Sequence, residues 1–290
     1  MSTASEDQYY IPHGTHWPII GSIGLTVTFV GFANYLHGSE LTTMFVGLAI
    51  VIFMMYGWFG QVIDESLAGM YNKQVDVSFR WGMGWFIFSE VMFFGAFFGA
   101  LYYARAFSIP WLDGASNNDA TAWLLWPDFE AAWPLIQVPS AEKFVEAKEA
   151  MGAWGLPAIN TAILLTSGLT ITFAHWALKK HDQVKLVYWL FATVALGFLF
   201  VGLQALEYSH AYSELDLRMD SGIYGSTFYL LTGFHGFHVT MGATMLLIIM
   251  IRSMKGHFSD KNHFAFEAVA WYWHFVDVVW LGLFVFVYWI

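Results

Sequence analysis

An all-α, seven-transmembrane-helix membrane protein is the fold class this sequence predicts, and three observations predict it. Hydrophobic residues make up 58% of the 290, against only 22 acidic and 12 basic side chains. That balance is too apolar for a soluble globular chain. The apolar residues gather in seven runs, each long enough to cross about 30 Å of hydrocarbon as a helix. No stretch alternates with the period of a membrane barrel strand.

The composition also excludes function classes. Cysteine is absent, so disulfides, iron–sulfur clusters and thiolate metal sites are ruled out. A net charge of −10 speaks against nucleic acid as a partner.

In chain order, the spans fall near 17–36, 41–62, 81–104, 156–178, 186–208, 227–251 and 268–290, within a single integral membrane domain covering 1–290. The first sixteen residues are polar, with Glu6 and Asp7 and no Lys or Arg, which is not the pattern of a signal or transit peptide. An odd number of spans puts the termini on opposite sides. Lys73, Arg80, Lys179, Lys180, Lys185, Arg252, Lys255 and Lys261 fall on the N-terminal side, against Arg105, Lys143, Lys148 and Arg218 on the other. The bias places the N-terminus in the cytoplasm and the C-terminus outside. Trp17, Trp81, Tyr102, Tyr103 and Trp289 mark span ends as an aromatic belt would.

One connection is long. The outer loop, 108–155, carries seven acids and two lysines between 109 and 155, a solvated surface that could also steer a basic soluble partner. Within it, Ser140–Gly152 reads as a short helix, with Ser140 as N-cap and Gly152 as stop. Gly95 and Gly99 form a G-x-x-x-G pair in the third span, a motif that favours close helix approach in lipid.

The polar residues inside the spans carry the functional question. Glu90 interrupts the apolar run from Trp81 to Ala104. It lies nine residues in, about 14 Å along a helix and close to the middle of the bilayer. An intramembrane acid is costly unless partnered, and so marks a functional site. His235 and His238 share one face of the sixth span, as His274 and Asp277 share one of the seventh. Glu267, Trp271 and His274 fall on one stripe at i, i+4, i+7. Glu65 and Glu207 stand near the ends of their spans, where a carboxylate reaches water cheaply. Three roles compete: a metal or haem site, a proton or ion path through Glu90, and a structural network that includes lipid headgroups. A redox membrane core usually needs more in-span histidines than His235, His238 and His274, so no metal ligand is expected here. Spacing does not separate the other two roles. A stand-alone ion or solute channel would need the polar path to continue on both sides of Glu90. Arg252 and Lys255, at the cytoplasmic end of the sixth span, form a basic pair suited to anionic lipid heads.

Several runs resemble subunit III of the haem–copper cytochrome c oxidases. They are Phe88-Ser-Glu-Val-Met-Phe-Phe-Gly-Ala-Phe-Phe, Ile159-Asn-Thr-Ala-Ile-Leu-Leu-Thr-Ser-Gly, Leu203-Gln-Ala-Leu-Glu-Tyr, and Gly222-Ile-Tyr-Gly-Ser-Thr-Phe with Thr232-Gly-Phe-His-Gly-Phe-His-Val. The C-terminal run from His263 through Leu281 is similar too. The resemblance implies a two-helix bundle and a five-helix bundle with a lipid-holding cleft. It implies no redox centre in this chain, haem and copper residing in partner subunits I and II. The complex would carry electrons from cytochrome c to oxygen and pump protons. This chain would support proton uptake, retain phospholipids and protect the catalytic core, with Glu90 as the carbodiimide-reactive mid-membrane carboxyl. His238, Arg252 and Lys255 are expected at lipid headgroups, with His235 close by and Glu65 on the side of span two.

The run Ile63–Tyr71 departs from the family pattern, which has a basic residue before the acid and a histidine after the next glycine. The first two spans favour the cytochrome c branch, with a quinol oxidase subunit III as the alternative. The long outer loop resembles bacterial members, which points to a bacterial inner membrane over a mitochondrial one.

Overall fold

The computed structural model describes residues 14–140 and 142–290. Most of the polar N-terminal run read as free of a targeting signal lies outside the described residues. Those residues form α1 (Trp17–Leu36), α2 (Thr42–Leu67), α3 (Lys73–Tyr103), a one-turn α4 (Ile109–Leu112), α5 (Leu156–Lys179), α6 (Gln183–Ser213), α7 (Gly222–Met254) and α8 (Phe264–Leu283). Among the described residues there is no strand. Seven stretches are long and apolar enough to cross a membrane, the third running Lys73–Leu112 and the last Phe264–Trp289.

Several helices outrun the predicted spans, because a helix closes its own backbone hydrogen bonds and need not stop where hydrocarbon does. At the start of α6, Asp182 caps the first turn by accepting a hydrogen bond from the Lys185 N–H at 3.1 Å. Between α3 and α4 the backbone widens to a π-type winding at Ala104–Ser108. Pro110 has no N–H for the Ala106 carbonyl, and a register change there accommodates the loss.

The chain forms two compact units, one through Trp81 and one from Gly82 to Ile290. In the first, α1 and α2 cross at Gly31 and Gly47, where an added methyl group would overlap the backbone of Met44 and of Thr28 respectively. Trp17 Nε1 donates to Gln61 Oε1 at 2.9 Å. The chain of bonds continues from Gln61 Nε2 to Glu65 Oε1 at 2.8 Å.

The second unit is built around α8. Trp273 is fully buried, and a Cβ at Gly197 of α6 or Gly242 of α7 would each come within 2.8 Å of its ring. Its Nε1 donates to Ser167 Oγ of α5 at 2.9 Å. One side chain thus joins four helices. Close approach in this unit runs through those glycines, not through the G-x-x-x-G pair. At Gly95 and Gly99 an added Cβ would meet nothing within 4 Å, so among the described residues no helix packs on that pair.

The outer loop also differs from expectation. Residues 142–152 are turns and bends, not a helix. Their backbone donors go to tertiary partners instead: Lys148 N to Leu215 O at 2.8 Å and Met151 N to the Tyr224 hydroxyl at 3.1 Å. Phe129, Leu135, Ala147 and Met151 are buried, so the loop is a packed cap whose acids remain outside.

Lys148 anchors this cap a second time, its Nζ lying 2.6 Å from Asp216 Oδ2. Hydrogen bonding and charge from Lys148 hold the Asp216 carboxyl below its ordinary value of 3.8. A depressed carboxylate pKa gives stability that is complete above the ordinary value and lost as pH falls through the folded one. Lys148→Met should therefore open the loop to pepsin at a higher pH than in the wild type, whose Asp216 carboxylate stays ionised to below its ordinary value of 3.8. Equal cleavage of the two proteins at every pH would dismiss the bridge as an anchor.

Candidate functional site

Helices α3 and α7 bring Glu90 and His238 together, with Oε2 and Nε2 2.8 Å apart. His238 is sixteen residues from either end of α7, about 24 Å along the axis; both groups therefore lie deep in their spans. Phe93, Phe94 and Tyr272 surround the imidazole at 6.0, 5.0 and 6.4 Å between ring centres. Among the described residues this is the one side-chain hydrogen bond tying the membrane-deep part of α3 to α7 or α8.

The proton count of the pair follows from its partners. His238 Nδ1 lies 2.6 Å from the Phe234 carbonyl, which can only accept, so Nδ1 carries a hydrogen. The bond to Glu90 then needs one further proton, on the carboxyl or on Nε2. Shifting it from one to the other leaves the pair's net charge unchanged. Chemically, the pair can hold, gain or release a proton as a unit in a water-poor setting.

Both ring nitrogens of His238 are thus engaged within the protein. Arg252 lies fourteen residues further along α7, about 21 Å away, so one headgroup cannot meet both. His235 is fully buried, packed against Phe200 and Trp280. Its Nε2 donates to the Val276 carbonyl at 3.2 Å, joining α7 to α8. Arg252 is half-buried with its guanidinium 4.6 Å over the Phe258 ring, and Lys255 caps the same helix end in an exposed position. Glu65, in the first unit, accepts from the Tyr71 hydroxyl at 2.8 Å as well as from Gln61.

The stripe predicted on α8 divides. Trp271 and His274 face outward, whereas Glu267 turns inward. His274 Nδ1 stands 3.7 Å from Asp277 Oδ2. Asp277 presses against α5 at Gly168, where any Cβ would overlap its carboxylate.

Two constellations escaped the sequence reading. Glu207 does not reach water: it is 1% exposed and accepts the Tyr288 hydroxyl at 2.6 Å, because α6 extends past it to Ser213. The second gathers His175 of α5, His263 at the N-cap of α8, and Glu267 in the first turn of α8. The i, i+4 spacing of His263 and Glu267 is readable in the sequence; the arrival of His175 from another helix is not.

Fold and site together define a polytopic helical membrane subunit with a partnered carboxyl at mid-depth. The family model for cytochrome c oxidase subunit III matches residues 7–114 and 129–290. Over its full length the chain is 38% identical to cytochrome c oxidase subunit 3 of Drosophila yakuba, covering 99% of that protein. It is 39% identical to the subunit 3 of Marchantia polymorpha, covering 98%, and 38% identical to that of Arabidopsis thaliana, also covering 98%. The chain belongs to the cytochrome c oxidase subunit III family, and as such is part of an oxidoreductase complex of the respiratory chain.

Proposed function

We propose that this chain is the non-redox subunit III of a proton-pumping terminal oxidase that carries electrons from cytochrome c to oxygen. It assembles with subunits I and II, which hold the haem and copper, and it supports proton uptake, lipid retention and the durability of the catalytic core. The observation that supports this reading best is the Glu90–His238 pair, a proton-holding group in mid-membrane. The complex sits in a bacterial plasma membrane with the N-terminus cytoplasmic and the C-terminus periplasmic, following the distribution of Lys and Arg.

Lipid retention is assigned to the cytoplasmic end of α7. Arg252, steadied by Phe258, and the exposed Lys255 present two cations to the phosphate of an anionic lipid. His238 and His235 hold the helix behind them in place, and Glu65 meets headgroups at the end of α2.

Gentle detergent extraction through a tag on this chain should recover a complex with a visible haem spectrum and two larger partners. Recovery of the chain alone, with ion flux after reconstitution, would overturn the assignment in favour of a channel. Within that complex, Arg252→Ala combined with Lys255→Ala should reduce co-purifying anionic lipid. At about 1 kcal/mol per basic residue, the weakening is roughly 30-fold in lipid affinity. An unchanged lipid complement by mass spectrometry would remove the pair from the headgroup assignment.

A further inference from the structure

Where the outer loop meets the start of α5 and the end of α6, the second unit holds a cavity of about 440 Å3. A single water needs only about 10–15 Å3 of such space, so the cavity admits a larger molecular group. Glu149 and Trp154 line it from the loop, and Glu207 and His210 from α6. We propose that this cavity binds a primary ammonium group, carried by a lipid headgroup or by a soluble amine. Neither Glu90 nor the Arg252–Lys255 pair takes part, the latter lying at the opposite end of the helices.

Charge sets the sign of the ligand. Two carboxyl groups line the cavity, and among the described residues no lysine or arginine does. Lys148, next in sequence to Glu149, is held by Asp216 at 2.6 Å. Glu207 supplies the second observation. It is 1% exposed, and its Oε1 accepts the Tyr288 hydroxyl at 2.6 Å. Its Oε2 is buried without a hydrogen-bond partner, a costly condition that a donor entering the cavity would relieve.

The class of cation follows from what these groups require. Oε2 needs a hydrogen; an –NH3+ group carries three, whereas a quaternary ammonium carries none. The two left over match the other polar groups of the lining, Glu149 and His210. Among the described residues, Glu149, Glu207 and His210 do not bring their donor atoms close enough together to share one small metal ion. A larger cation with several hydrogens fits the spread. Trp154, set against Trp289 at 6.0 Å between ring centres, adds an aromatic ring to the same cavity, and a ring face attracts a cation within about 6 Å.

The test titrates the intact purified oxidase with two probes, dihexanoyl phosphatidylethanolamine and the chain-free glycerophosphoethanolamine, each beside its choline counterpart. Glu207→Gln keeps the acceptor for Tyr288 and removes the charge. It should weaken binding of the ethanolamine probe by about 10-fold or more, the worth of one charged hydrogen bond. Exposed Glu142 belongs to the same loop but not to the cavity, so Glu142→Gln should bind as wild type does. Binding of the chain-free probe assigns the site to soluble amines, and binding of the lipid alone assigns it to headgroups. Equal affinity of wild type and Glu207→Gln overturns the site. So does equal affinity for ethanolamine and choline probes, or an equal loss in Glu142→Gln. Should Glu207→Gln fail to assemble, cryo-electron microscopy of the wild-type oxidase at saturating probe decides. Headgroup density reaching Glu207 supports the proposal, and water alone in the cavity overturns it.

Discussion

A Glu90→Gln oxidase is expected to assemble with an unchanged haem spectrum and yet differ from wild type in proton uptake, lipid content or lifetime over many turnovers. The distinction rests on what the amide keeps and what it lacks. Glutamine can donate to His238 Nε2 across the same 2.8 Å, so packing and the hydrogen bond survive and stability should change by less than about 1 kcal/mol. The exchangeable proton is gone. Glu90→Leu, by contrast, strands His238 Nε2 among Phe93, Phe94 and Tyr272, at a cost of about 1–3 kcal/mol.

Because one proton is shared, His238→Gln should reproduce the functional loss of Glu90→Gln, and the double variant should be no worse than either single one. Additive losses would mean that the two residues act separately. Unchanged uptake, lipid and lifetime in Glu90→Gln would leave the pair as a structural fastening of α3 alone.

The number and order of helices were legible because spanning length and apolar composition are local properties, read without knowing any partner. Glu90 was legible for the same reason: a single acid in an apolar run needs no tertiary information to stand out. Its partner was less so. His238 could be placed on a helix face with His235, but the two histidines part in the folded chain, one turning to α3 and the other to the carbonyl of Val276. Periodicity gives a residue's face and not the helix that comes to meet it. The same limit explains Glu207, judged by its distance from a span end and then buried by a helix that ran on.

The G-x-x-x-G pair shows the converse. Its spacing describes a surface that another helix could use, while the glycines that admit close neighbours include Gly31, Gly47, Gly197 and Gly242, which the sequence reading did not single out for packing. In the outer loop, a helical pattern gave way because the N–H groups of Lys148 and Met151 found partners outside it, the Leu215 carbonyl and the Tyr224 hydroxyl.

Trp273→Ala should cause the largest loss of stability in the second unit, about 3–5 kcal/mol, the range for emptying a buried aromatic site. In lipid the apolar gain from leaving water is spent before helices meet, so side-by-side packing and interhelical hydrogen bonds carry the association. Trp273 contributes both at the point where α5, α6, α7 and α8 converge. Two glycines face its ring, Gly197 and Gly242, so no side chain stands ready to fill the void by a rotamer change. The lost N–H matters less, since Ser167 Oγ also donates to the Leu164 carbonyl at 2.6 Å and stays bonded. Trp273→Phe should therefore recover most of the deficit, leaving roughly the 0.5–1.5 kcal/mol of one hydrogen bond and a smaller cavity. Gly242→Val tests the clamp from the other side: its added carbons would collide with the ring, and overpacking of this kind costs about 1–3 kcal/mol. Thermal inactivation of the assembled oxidase should rank the variants with Trp273→Ala least stable, Gly242→Val between, and Trp273→Phe near wild type. If Trp273→Ala inactivates at the wild-type temperature, the four-helix junction is held by contacts other than this ring.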